Sequence, residues 1–175
     1  MYKIITALDP TLRNISEKVD YVDSNIQKIL DLMLKTMYND LGVGLAAPQV
    51  GICKRIFVLD LGDNDPIERS PGFYPLYVVN PEILEASEDL VEGLEGCLSI
   101  PDVRVKIKRP EWVNVSYVDY NNNNQTLRLE GWLARAFLHE LDHLNGILAI
   151  DYCTPIQKAI ALEKMKKFIK KTKKV

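Results

Sequence analysis

The chain has 175 residues, 47% hydrophobic and 26% charged, with a formal net charge of −2. These values fit a single domain with a true core and exclude a disordered or low-complexity chain. No apolar run approaches the roughly 20 residues that cross a bilayer. The start of the chain lacks both the basic-then-apolar pattern of a secretory signal and an Arg/Ser-rich transit segment, so a reducing location, most simply a bacterial cytoplasm, is expected.

In chain order, Asp23 or Ser24 is placed to cap a helix running to about Asn39. Ile26, Ile29, Leu30, Met33, Leu34 and Met37 recur at helical spacing and are predicted to face the core. Gly42 and Gly44 end that helix and open a loop. Arg55 to Leu61 reads as a strand, and Gly62 to Pro75 as a polar surface loop. Leu76 to Asn80 and Ile83 to Ala86 read as two further strands. Val103 to Ile107 alternates apolar with charged residues, as a half-buried strand does. Trp112 to Tyr120 alternates likewise, Asn121 to Asn124 turns, and Thr126 to Leu129 returns as a hairpin partner.

Trp132 to Leu144 reads as a helix apolar on most sides, and such a helix is a buried one. A last helix from about Pro155 to Lys171 carries a basic end: residues 158–175 hold eight lysines against one acid, Glu163, while the remainder is net acidic. A solvated lysine face explains such a run, and an anionic partner is the functional alternative. No repeat or linker divides the chain. The expected architecture is one α+β domain over 1–175: antiparallel or mixed strands packed around a buried helix, with N-terminal and C-terminal helices.

That buried helix carries His139-Glu140-Leu141-Asp142-His143. Histidines four apart lie on one helix face, so both imidazoles reach one metal ion, and Glu140 flanks a metal-bound water. Burying two histidines and two acids without partners costs several kcal/mol, and a metal removes that difficulty. They are also the only two histidines in the chain. A hydrolytic site needs a third ligand and an open position. Downstream, no histidine follows His143, and Glu163 lies in a lysine-rich helix. Upstream stands Glu95-Gly96-Cys97-Leu98-Ser99-Ile100-Pro101. The cysteine count is three, sparse and odd, which argues against a disulfide framework. Cys53 and Cys153 have no suggestive neighbours and read as small buried residues.

The segments EGCLSIP (95–101), HELDH (139–143) and Gly42-Val43-Gly44-Leu45-Ala46-Ala47-Pro48-Gln49 together resemble the peptide deformylase family, in the family's order. Asp9-Pro10, Leu12-Arg13 and Leu144-Asn145-Gly146 add to a resemblance covering nearly the whole chain. It implies removal of formyl from the N-terminal formyl-methionine of nascent peptides. Cys97, His139 and His143 would hold one divalent metal, iron(II) by resemblance, with zinc, nickel and cobalt also suiting the donor set. Glu140 would act as general base and then acid. Gln49, through its side chain, and Leu98, through its N–H, would stabilise the oxyanion. Val43 and Gly44 would offer backbone to an extended peptide. The family commonly has Gln before the first metal histidine, where this chain has Leu138.

Other expectations come from the residues themselves. Arg104 or Arg109 is placed to pair with Glu95 and fix the Cys97 loop. Arg135, one turn before His139, would line the substrate pocket with its stem and keep its head in water. The competing readings are a zincin-like endopeptidase using Glu163, and a ribosome-associated, non-catalytic metal-binding module. A deformylase with a ribosome-binding tail combines the family reading with the second of these, with activity on free peptides expected to survive deletion of Lys166–Val175.

Overall fold

The computed structural model describes residues 1–172; the last three residues of the basic tail, 173–175, lie outside the described residues. Among the described residues, three α-helices, α1 (Ser24–Asn39), α2 (Gly131–Leu144) and α3 (Pro155–Thr172), accompany seven strands. These are β1 (Gly44–Ala46), β2 (Ile56–Leu59), β3 (Leu76–Ala86), β4 (Leu90–Cys97), β5 (Ile100–Pro110), β6 (Trp112–Val118) and β7 (Asn124–Glu130). One antiparallel sheet has the order β1-β2-β3-β6-β7, and β4 and β5 form a separate antiparallel pair. The class is α+β.

Asp23 caps α1, its carboxylate accepting the N–H groups of Asn25 and Ile26, a contact worth about 1 kcal/mol. Ile26, Leu30, Met33 and Met37 are buried against the sheet. The helix is closed by Leu41 in the left-handed region, at φ 54°. Its N–H donates to Tyr38 O, and that of Gly42 donates to Met37 O, a Schellman closure. The residue that turns the chain is thus a leucine just before the two expected glycines.

The run Ile56-Phe57-Val58-Leu59 is buried throughout because both sheet faces are covered. Ile56 and Val58 face α1, and Phe57 and Leu59 face α2. Phe57 meets Phe137 of α2 edge-on, with ring centroids 5.0 Å apart. A third cluster joins Ile100, Val103, Val105 and Ile107 of β5 to Ala161 and Met165 of α3.

Three expectations change. Leu76–Ala86 is one strand, not two: its pairing with β6 shifts register between Val79 and Glu82, where Asn80 takes φ 51° and Pro81 contributes no N–H. Gly44–Ala46 is a short edge strand, where a loop was expected. Leu90–Cys97, unassigned from sequence, is a full strand on β5, which itself extends well beyond Val103–Ile107.

Candidate metal centre

Helix α2 presents His139 and His143 on one face, with ring centroids 5.0 Å apart. Strand β4 ends at Cys97, and a register shift between Gly96 and Cys97 breaks its ladder with β5 there, as a bulge that re-aims a side chain does. Sγ of Cys97 lies 3.3 Å from His143 Nε2. The ligand atoms of Cys97, His139 and His143 all fall within 4.8 Å of one another. One sulfur and two imidazole nitrogens suit a borderline divalent ion. Nδ1 of His139 is held by Glu95 Oε2 at 2.9 Å, which leaves Nε2 for a metal, the usual way such a ring is fixed. The donor set therefore fits the group. Burial pushes the His139 imidazole down, but its contacts with Cys97 and Glu95 outweigh this and hold it well above its ordinary value. His143, buried and facing the His139 charge, is held well below.

Glu140 lies beside these donors and is 5% exposed. Its Oε2 has no hydrogen-bond partner. Burial raises its carboxyl to about 7, near the optimum for a group that must both take and return a proton at neutral pH. Gly44 makes room for it: a Cβ there would sit 2.4 Å from Glu140 Oε1.

Gln49, 1% exposed, is oriented by its neighbours. The Ala46 N–H donates to Oε1 at 2.8 Å, so the amide NH2 must point the other way. That group donates to Ser99 Oγ at 3.2 Å and lies 3.6 Å from Cys97 Sγ. Leu98 and Ser99 form the turn between β4 and β5, and Leu98 lines the cleft. Leu138 points into the core and is buried there.

Glu95 organises the surroundings. Arg109 grips it through Nε and Nη2 at 2.8 and 2.9 Å. Arg109 also donates to Asp142 at 2.8 Å. Arg104 does not reach Glu95: it is exposed and lines the cleft, because the strand alternation that turns Arg109 inward turns Arg104 the other way. Arg135 differs more sharply from expectation. Its head is buried, not in water, and donates to Glu95 at 2.8 Å, Ile107 O at 3.0 Å and Val91 O at 2.6 Å. Gly93 opens the space: a Cβ there would lie 2.8 Å from the guanidinium carbon. Val43 also departs in part. Its carbonyl accepts from Asp60 N–H at 2.9 Å. Since antiparallel bonds alternate sides, the backbone facing away from β2 at this edge is that of Gly44.

A cleft of about 1080 Å³ opens over the site. Its lining adds Leu94 and Trp132, which sequence reasoning did not single out. Both are about half exposed, and an exposed tryptophan at the start of a buried helix was the available signal. Ser99 was overlooked too, although it stands inside the EGCLSIP segment.

A family model described as "Polypeptide deformylase" matches residues 1–159. A protein of Rickettsia canadensis named "Peptide deformylase" is 49% identical over 164 residues, covering 94% of each chain. The crystal structure of peptide deformylase from Ehrlichia chaffeensis superposes with a TM-score of 0.91 at 38% identity, over 100% of this chain and 99% of that one. The same organism's enzyme in complex with actinonin gives 0.89 at 40% identity, over 95% and 96%.

Proposed function

The chain belongs to the peptide deformylase family, and on that premise we propose that it hydrolyses the formamide of N-terminal formyl-methionine on nascent polypeptides, releasing formate. The observation that carries this is Glu140, a buried carboxylate with an unpartnered oxygen beside three converging metal-donor atoms. Cys97, His139 and His143 are the proposed ligands. A divalent metal bound there would supply a Lewis-acid position that lets water lose a proton near neutral pH.

The remaining work falls to the chain's own groups. Glu140 takes the proton of the attacking water and returns it to the departing amine nitrogen, since a neutral amine leaves far more readily than its anion. The Gln49 amide, fixed by Ala46, donates toward the developing oxyanion together with the Leu98 N–H; such a donor is worth about 3–4 kcal/mol. The open edge of β1 at Gly44 receives the peptide as an added strand. Arg104 flanks the peptide from β5, and Arg135 braces the pocket from beneath Gly93.

We assign iron(II) as the working metal, with zinc, nickel and cobalt accepted by the same donors. Formate release from formyl-Met-Ala-Ser by anaerobically purified, iron-loaded protein tests the proposal. Removing the metal with a chelator is expected to abolish turnover, and one equivalent of iron(II) to restore it. No formate despite one metal per chain would remove the deformylase reading. A zincin-like use of Glu163 is disfavoured: Glu163 is exposed and paired with Lys166 at 2.8 Å.

The tail is proposed to hold the enzyme on anionic ribosomal surface in a bacterial cytoplasm. No described helix is long and apolar enough to cross a membrane. Deleting Lys166–Val175 is expected to reduce co-sedimentation with ribosomes, more so at low salt. Unchanged co-sedimentation would refute the contact.

A further inference from the structure

The bonds that hold His139 run on to the protein surface. Glu95 takes His139 Nδ1 at 2.9 Å on one side, and Arg109 Nε and Nη2 at 2.8 and 2.9 Å on the other. The remaining arm of that guanidinium, Nη1, donates to Asp142 Oδ2 at 2.8 Å and to the Tyr152 hydroxyl at 3.3 Å. The hydroxyl, accepting from Arg109, donates its own proton to the same Asp142 oxygen at 2.8 Å. The guanidinium carbon also stands 5.1 Å from the centroid of the Tyr152 ring, a cation–π distance. One side chain thus closes the Arg109–Asp142 pair twice, by hydroxyl and by ring. Asp142 immediately precedes His143 on α2, so both histidines border this network.

Tyr152 is itself held in place. It ends a 3-10 turn, Ala149–Tyr152. Ala149 and Ile150 are buried in the third cluster. Asp151 is bound by Arg13, by Lys158 at 2.6 Å and by the Leu148 N–H at 2.9 Å. Yet Tyr152 is 47% exposed, and neither it nor Asp142 nor Arg109 lines the cleft. A guanidinium is planar and rigid, so its Nη1 end cannot swing without turning Nε and Nη2 away from the Glu95 oxygens. The tilt of Glu95 in turn sets the plane of the His139 ring.

We propose that Tyr152 is a positioning residue for the metal centre: it holds the Nη1 end of Arg109 against Asp142, which fixes the face that grips Glu95 and, through Glu95, the ring of His139. The inference rests on the reading of Cys97, His139 and His143 as metal ligands.

The test compares Tyr152→Phe with the parent, both stripped of metal and titrated with cobalt(II) against a chelator at pH 7. Phenylalanine keeps the ring over Arg109 and removes only the hydroxyl. Metal affinity is expected to fall about tenfold, the lower end of the range for groups that orient a ligand histidine. The visible absorption bands of the cobalt(II) form are expected to shift, because they report donor geometry. At saturating metal, kcat for formyl-Met-Ala-Ser is expected to fall while KM stays within about twofold, since the network behind Glu95 lies off the cleft. Asp142→Ala gives the second arm. If the hydroxyl acts through Asp142, adding Tyr152→Phe to that variant weakens metal binding by less than about twofold more. Unchanged affinity and an unchanged cobalt(II) spectrum in Tyr152→Phe, whatever happens to Tm, would make the tyrosine a mere cover for the ion pair and overturn the proposal. Full additivity with Asp142→Ala would overturn it as well. A parent that binds no metal defeats the reading of the metal centre, and the inference with it; a parent that binds one metal with the same affinity as Tyr152→Phe defeats the positioning role alone.

Discussion

Glu140→Gln is expected to cut kcat/KM for formate release by about 10²- to 10⁴-fold while the protein still folds and binds one metal. The amide has the same shape as the carboxylate and fits the space that Gly44 leaves open. It cannot accept the proton of the attacking water, nor return one to the amine. Stability should move in the opposite direction. In the metal-free protein burial raises the Glu140 carboxyl from 4.5 to about 7, so the folded state disfavours its charged form. A raised acid costs stability progressively as pH climbs from the unfolded value, and the cost levels off above the folded value. Metal-free Glu140→Gln should therefore be more stable than the parent at pH 8, by about 3 kcal/mol, with the difference vanishing below about pH 4.5. Urea titrations at the two pH values, beside kinetics and metal analysis, check both halves. Retained turnover would move the base elsewhere; lost metal would make Glu140 a structural residue.

The legible parts of this protein are those where one pattern governs a whole element. Helix α1 shows itself by its cap and its stripe, and α2 by apolar residues around paired histidines. Strand β4 stayed hidden because Leu90, Val91 and Leu94 are exposed and two glycines interrupt it, so it shows neither alternation nor β-propensity. Strand β1 is three residues of Gly-Leu-Ala, too short for any period. The Cys97–His139–His143 set was readable because the chemistry demands a third donor and the family segments supply one. Arg135 was misjudged for a tertiary reason. Helix spacing places it on the pocket side, but whether its head reaches water depends on a strand that sequence did not reveal, and on the missing side chain of Gly93. The signal was present in Glu92-Gly93-Leu94-Glu95-Gly96, where a glycine stands two residues before a buried acid.

Glu95→Gln is the substitution expected to damage the architecture of the site most. Four N–H donors converge on this carboxylate: Nε and Nη2 of Arg109, Nη1 of Arg135 and Nδ1 of His139. Each oxygen accepts two of them. A glutamine offers one oxygen and turns an NH2 group against the remaining donors, leaving buried guanidinium charge uncompensated. Breaking a buried pair in this way costs about 3–5 kcal/mol, and in a chain of this size that lowers Tm by about 10 °C. His139 loses its anchor as well, so metal affinity should fall by about 10- to 100-fold, read by competition with a chelator at pH 7. Burial pushes the Glu95 carboxyl up, yet the bonds from Arg109 and His139 prevail and hold it at about 2, below the ordinary 4.5. A depressed acid contributes stability above its unfolded value and loses it as pH falls toward the folded one. The gap between parent and variant should thus be full at pH 7, narrow below pH 4.5 and close near pH 2. A gap that stays constant from pH 7 to pH 3 would mean that the amide's shape, and not the lost charge, does the damage. Adding Arg135→Met to the variant separates the partners. If the two guanidinium groups share one carboxylate, the second substitution should cost less in the Glu95→Gln background than alone, by about 0.5–3 kcal/mol. Simple additivity would mean that Arg135 is held by the Val91 and Ile107 carbonyls and owes nothing to Glu95.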